Sequence, residues 1–276
     1  MKYQLSHLTR YQYQQPIANS YNLACLQPRQ LPYQQVLQSS IQVTPVASGM
    51  YSHLDSFGNV RHFIHLQSPH QELSVLASSI VEVQPRYLAG QLAKGVGFEQ
   101  LQHCFTNQSP QNLTQASNDL LLARQCRFAS RMIPLLPDAA ALWARVQQPH
   151  RTVLENVSQL MSLIFNEFSY DPEFSSVVTP VSEVLDHRRG VCQDFAHLLL
   201  EMLRISAIPA RYVSGYICPM GNELRGIGAT HAWVEAYIPD YGWLGIDPTN
   251  NCLVSDRHIR IAFGRNFNDC TPVKGT

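Results

Sequence analysis

The chain has 276 residues, and 45% of them are hydrophobic, enough for a packed core and too many for a disordered tail. Lys+Arg and Asp+Glu number 20 each, so there is no basic field to draw nucleic acid and no polybasic run to hold anionic lipid. No apolar run approaches the roughly 20 residues of a membrane span, and the polar start carries no charged-then-apolar signal segment, so a cytoplasmic location away from membranes is expected.

Short alternating segments dominate residues 1–85: Tyr3–Tyr13, Val36–Pro45, Val60–Leu66 and Leu73–Val83. Turn residues separate them, among them Asp55-Ser56-Phe57-Gly58-Asn59. The pattern predicts an antiparallel β domain of sandwich type. Residues 86–149 read as a helical connecting segment. Within it, Leu88–Phe105 has no decisive period, Asn118-Asp119 to Met132 predicts one helix, and Pro137-Asp138 opens another. Residues 150–276 form the remaining unit. It starts with a longer helix over 150–166, whose Val153, Leu154, Val157, Leu160, Met161 and Ile164 share one side.

Three blocks in this last unit carry chemistry. In Gly190-Val191-Cys192-Gln193-Asp194, the cysteine stands at the start of a helix whose Phe195, Leu198, Leu199, Met202 and Leu203 repeat at three- and four-residue steps. The unpaired N–H groups and positive dipole end of a first helical turn favour an anion, a thiolate included. Those N–H groups could also hold the oxyanion of a tetrahedral intermediate. Thr230–Ile238 alternates as a strand that starts with His231, and Trp243–Asp247 reads as a second strand stopped by Pro248. Pro239-Asp240-Tyr241-Gly242 reads as the turn between them, so the strands pair antiparallel and His231 comes to lie near Asp247. A thiol, an imidazole and a carboxylate in that order form the set a cysteine nucleophile needs.

These blocks resemble the transglutaminase-like superfamily of cysteine enzymes, and more narrowly its bacterial, cysteine-protease-like branch. The likeness continues through Phe168-Ser169-Tyr170, Thr179–Leu185 and Pro209–Tyr216. At the other end, His7–Tyr13, Leu26-Gln27-Pro28-Arg29 and Asp55–Asn59 are similar to the β-rich N-terminal domain that accompanies the core in that branch. The likeness covers about 1–85 and 150–270. It implies an α+β fold: an N-terminal antiparallel β-sandwich-like domain, then a papain/transglutaminase-like core with helices on an antiparallel sheet. It also implies Cys192 as nucleophile, His231 as general acid/base and Asp247 as the carboxylate that orients it. In the superfamily an aromatic or amide side chain often completes the oxyanion hole; Tyr170, Gln193 and Trp233 are the candidates for that or for substrate contact.

The implied activity is a cysteine-dependent amide hydrolase, a protease or amidase working through a thioacyl enzyme on a protein or peptide substrate. Transglutaminase-type transfer to an amine shares the first half-reaction and stays open, as do a carrier-dependent acyltransferase and a non-catalytic binding or scaffold protein. Neither metal nor cofactor is expected: no two cysteines are spaced CxxC, and no HExxH, GxGxxG, GxxxxGK[ST] or GxSxG string occurs. The other six of the seven cysteines read as inert thiols. Asp194 reads as a brace for the helix start and His197 as a packed helix residue.

Overall fold

A computed structural model describes the chain except residues 87–94, 107–114, 175, 177–178, 220–224, 226–229, 240 and 276. The first 83 residues supply β1 (Lys2–Ile17), β2 (Ser20–Ala24), β3 (Gln34–Thr44), β4 (Gly49–Leu54), β5 (Val60–Leu66) and β6 (His70–Val83). β1, β6 and β3 form one antiparallel sheet in the order β1-β6-β3. β2, β5 and β4 form a second, whose far edge is the chain's last strand, β14 (Val273–Gly275). Leu73, Val75 and Ala77 of the first sheet pack on Ala24, Ile64 and Leu66 of the second. Alternating strands bury one face each in this way and make a sandwich. β4 has no alternation to read, since all six of its residues are exposed.

Helices follow: α1 (Phe98–Thr106), α2 (Gln115–Gln125), α3 (Pro137–Val146) and α4 (Val153–Glu167). Pro137 sits in the first turn of α3, where its missing N–H costs nothing. Thr152 caps α4: its hydroxyl accepts from Glu155 N at 3.2 Å, and Glu155 Oε2 accepts from Thr152 N at 2.7 Å. The helix predicted to run from 118 to Met132 ends at Gln125. The Cys126 carbonyl accepts instead from Ala210 N at 3.1 Å, and Ser130 and Ile133 exchange two backbone bonds across a tight turn. Tertiary pairing overrides helix propensity there. The predicted turn residue Asp240 lies outside the described residues.

Next come β7 (Ser169–Tyr170), α5 (Val181–His187), β8 (Arg189–Gly190) and α6 (Cys192–Ile205). The core sheet is built from β9 (Ala210–Ile217), β10 (His231–Ile238), β11 (Gly242–Asp247), β12 (Cys252–Leu253) and β13 (His258–Gly264). It is antiparallel, in the order β12-β11-β10-β9-β13. The whole is α+β, as expected. One face of β10 (Ala232, Val234, Ala236 and Ile238) packs in a single cluster with Phe195, Leu199 and Met202 of α6. The other face is buried as well: Trp233 and Glu235 on it are 0% exposed. Arg211 and Arg260 neutralise Glu235, while Trp233 joins Val213, Val254 and Phe263 with Leu31 packed against them. The two parts of the chain are therefore joined across this face.

The outer edge of β13 is closed by amide side chains. Gln34 Nε2 donates to Arg260 O at 2.8 Å and Gln34 Oε1 accepts from Arg260 N at 2.8 Å. Asn59 repeats the exchange with the carbonyl and N–H of Phe263, at 2.7 and 2.8 Å. Both amides imitate a neighbouring strand and protect an otherwise open edge. Inside the sheet, Gly215 faces His231 across β9 and β10. A Cβ there would lie 2.0 Å from Ile259 O and 2.5 Å from the Trp233 ring. Gly215→Ala is expected to destabilise the fold by about 3 kcal/mol, read as a lowered urea midpoint; an unchanged midpoint would show that the β13 backbone and the Trp233 ring both give way freely. Among the described residues no helix is long and apolar enough to cross a membrane.

Candidate active site

The site begins with the way α6 starts. Val191 is its N-cap and has no oxygen to bond the first-turn N–H groups. Asp194 braces the entry from inside, its Oδ2 accepting from Val191 N at 2.8 Å. Gly190 leaves room for that carboxylate: a Cβ there would come within 2.9 Å of Asp194 Oδ2. Cys192 thus occupies the first helical position and is 8% exposed. β7 runs parallel to β8 with Tyr170 opposite Gly190, which sets the Tyr170 ring beside this helix start.

His231 opens β10 and Asp247 closes β11. The register pairs Val234 with Ile246, so His231 and Asp247 meet at one end of the hairpin. His231 Nε2 donates to Asp247 Oδ2 at 2.8 Å, and both side chains are fully buried. The Cys192 thiol interacts with the same imidazole. Nδ1 has no partner at strict hydrogen-bonding geometry, so the thiol contact is looser than the carboxylate contact. The expected three side chains are gathered in the order Cys192, His231, Asp247.

Burial pushes the proton affinity of His231 down, but the Asp247 charge, its hydrogen bond and the thiol outweigh it and raise the pKa to about 10. Burial likewise pushes Asp247 up, yet the His231 charge and the hydrogen bonds from His231 and His258 hold it far below the carboxylate range. The ring is therefore an imidazolium at neutral pH in the free protein. Its contribution to stability is complete below its ordinary value of 6.5 and is lost as pH rises through about 10.

Asp247 is held by more than the hairpin. Oδ1 accepts from Thr249 N at 2.9 Å and Asn250 N at 3.2 Å, and Oδ2 accepts from Asn250 Nδ2 at 2.8 Å and His258 Nε2 at 3.3 Å. Sequence reasoning missed Asn250 and His258. The run Asp247-Pro248-Thr249-Asn250 is a turn in which an aspartate caps the backbone that follows, so Asn250 was within reach of a local reading. His258 gives no such signal, because β13 joins the sheet beyond β9 and is no neighbour of β11.

A cleft of about 390 Å³ opens over the sulfur. Tyr170, Tyr212 and Phe267 wall it, and Gln193, Ser214 and Thr230 line it with Cys192 and His231. Burial, with Cys192 and Asp194 nearby, raises the Tyr170 phenol, so its hydroxyl keeps its proton and can donate. Tyr170 and Gln193 both line this cleft. Trp233 does not line the cleft. It is 0% exposed and lies behind the imidazole, 6.0 Å from the His231 ring and edge-on to His258 at 5.3 Å. The missing side chain at Gly215 makes the room that draws it inward. His197 is packed in the core, as expected, and accepts from Phe267 N at 3.2 Å.

Among the described residues, His231, Asp247 and His258 bring three donor atoms within 4.8 Å of one another, close enough to surround an ion. Each of the three is already engaged, since Asp247 Oδ2 is the acceptor that both imidazoles share.

Fold and site together set a helix-borne thiol beside a strand-borne imidazole and carboxylate. Residues 140–248 match the family model of the transglutaminase-like superfamily, and residues 3–82 match that of the bacterial transglutaminase-like N-terminal region. The chain belongs to the transglutaminase-like superfamily, in the bacterial form that carries this N-terminal region. An uncharacterized protein of Mycobacterium tuberculosis is 32% identical over 99% of this chain and 87% of its own length. A protein-glutamine gamma-glutamyltransferase of Pseudomonas aeruginosa is 30% identical over 51% of this chain and 22% of that protein. A crystal structure of a candidate cysteine protease from Cytophaga hutchinsonii superposes with a TM-score of 0.73 at 21% identity, covering 100% of this chain and 88% of that one.

Proposed function

We propose that the protein is a cysteine-dependent amide hydrolase that cleaves a peptide or protein amide through a thioacyl enzyme. The observation that carries this reading is the imidazole of His231, held at 2.8 Å by Asp247 on one nitrogen and interacting with the Cys192 thiol. The Cys192 thiolate attacks the carbonyl carbon. The tetrahedral oxyanion is stabilised by N–H groups of the first α6 turn, with Tyr170 or Gln193 as the side-chain donor. The C–N bond breaks, and the departing nitrogen takes a proton from the His231 imidazolium. Neutral His231 then removes a proton from water, the hydroxide attacks the thioester carbon, and the C–S bond breaks to free Cys192. Asp247 keeps the His231 proton on Nε2 and the ring aligned throughout. The seven cysteines fit a reducing compartment, and we place the protein in the cytoplasm on that ground.

Transfer of the acyl group to an amine is the second reading, favoured by the glutamyltransferase likeness over half of the chain. Iodoacetamide at neutral pH is expected to label Cys192 ahead of the other cysteines, and His231→Ala to remove that preference, both read by peptide mass spectrometry. Equal labelling of several cysteines would refute the reading. A glutamine-containing peptide offered with a primary amine separates the two outcomes: deamidation marks hydrolysis, an amine adduct marks transfer.

A further inference from the structure

His258 is a buried imidazole that the proposed reaction does not use. Its protonation follows from its partners. Nδ1 lies 3.2 Å from Ser255 N, a backbone group that can only donate, so Nδ1 carries a lone pair. The ring proton is then on Nε2, which faces Asp247 Oδ2 at 3.3 Å. An imidazolium would oppose one N–H to another at Ser255. The charged and titratable groups around the ring agree with a neutral form. Burial, His231 on β10 and Arg260 on β13 oppose a second proton, and only Asp247 on β11 favours one; the balance lowers its pKa. The indole of Trp233, edge-on at 5.3 Å, brings no charge and seals the ring from water.

Counting His258, five hydrogen bonds converge on one carboxylate: two at Oδ1 and three at Oδ2. A carboxylate offers about four lone-pair sites, so Asp247 has no site left for a proton of its own and no freedom to rotate. The two backbone donors and Asn250 all come from the turn that directly follows Asp247 in sequence. His231 ties the carboxylate to the adjacent strand β10, and His258 ties it to β13, which is no sheet neighbour of β11.

We propose that His258 is a positioning residue: as a neutral donor it locks the Asp247 carboxylate in plane and takes a share of its negative charge, which sets how tightly Asp247 holds the proton of His231. The proposal rests on the reading of Cys192, His231 and Asp247 as the reacting set. Without His258, Oδ2 has one donor fewer. It becomes more basic, grips the His231 proton harder and is less well oriented. His231 is then a weaker acid toward the departing nitrogen.

Two readouts test this on the full chain. The first is the His231 titration midpoint, followed by NMR of histidine-labelled protein and assigned with His231→Ala. The second is the rate at which p-nitrotrifluoroacetanilide, an amide whose departing nitrogen needs a proton, acylates Cys192. His258→Ala is expected to move the midpoint upward and to slow acylation about tenfold, the worth of one hydrogen bond to a charged group. His258→Gln, whose Nε2 puts an amide donor near the same place, is expected to recover most of both. An unchanged midpoint and rate in His258→Ala, with wild-type Cys192 still acylated, overturns the role of His258 alone. A wild-type chain in which Cys192 takes no acyl group overturns the catalytic reading and this one together. A slow His258→Ala with an unmoved midpoint that Gln does not repair points to packing only and also overturns it. Should His258→Ala fail to fold, the decision passes to Gln against Asn, since the shorter amide cannot reach Asp247; equal behaviour of the two overturns the proposal.

Discussion

Asp247→Asn is expected to slow acylation of Cys192 by about 10³–10⁴-fold while leaving the thiol in place. The loss has two physical sources. An amide carries no charge to stabilise the His231 imidazolium, so the pKa of His231 falls from about 10 toward or below its ordinary 6.5. The amide also cannot satisfy its surroundings, because both carboxylate oxygens of Asp247 accept hydrogen bonds. If the new NH₂ replaces Oδ2, it confronts His231, His258 and the Asn250 side chain. If it replaces Oδ1, it confronts the N–H groups of Thr249 and Asn250. Either way a buried donor meets donors, or His231 flips its proton to Nδ1 and points a hydrogen at the thiol it should deprotonate. The measurement is the single-turnover acylation rate between pH 6 and 9 against wild type. A variant within about tenfold of wild type would remove Asp247 from the mechanism.

Glu235→Gln is expected to cost about 3–5 kcal/mol of folding stability, the usual penalty for stranding a buried charge. Glu235 is 0% exposed and bridges two strands. Arg211 reaches its Oε2 with two bonds, at 2.6 and 2.9 Å, and Arg260 reaches Oε1 at 2.7 Å. The guanidiniums are held in turn against rings: Arg211 over Phe263 at 3.7 Å and Trp243 at 4.1 Å, Arg260 over Tyr33 at 4.8 Å. A neutral amide leaves two cations without their counter-charge in this stack. Burial alone would push the Glu235 carboxyl up; the charges of Arg211 and Arg260 prevail and lower its pKa to about 2. The folded value lies below the ordinary 4.5, so the stabilisation is present above pH 4.5 and is lost as pH falls through about 2. Urea unfolding of the variant and wild type at pH 7 and pH 3 measures both statements. Equal midpoints at pH 7 would show that the arginines are satisfied without the carboxylate.

Much of the site is legible along the chain because its determinants are local. The apolar period after Cys192 places that thiol at a helix start. The alternation after His231, with the turn before Trp243, brings an imidazole and a carboxylate to one end of a hairpin; each step needs only a few neighbouring residues. The sandwich strands β1, β3, β5 and β6 are legible for the same reason, since one buried face imposes a period of two. β4 is hidden because all of it is exposed, and exposure imposes no pattern.

By itself, then, the sequence determined the α+β class, the family likeness and the order thiol, imidazole, carboxylate, because helix and strand periods and turn chemistry are properties of short segments. The tertiary structure alone decided what long-range pairing controls. It stopped α2 at Gln125 by giving the Cys126 carbonyl to Ala210, and returned β14 to the first half of the chain. It buried Trp233 behind His231, placed Glu235 between two arginines and carried His258 to Asp247. Those contacts depend on which strands neighbour one another in the sheet, a quantity that no local period encodes.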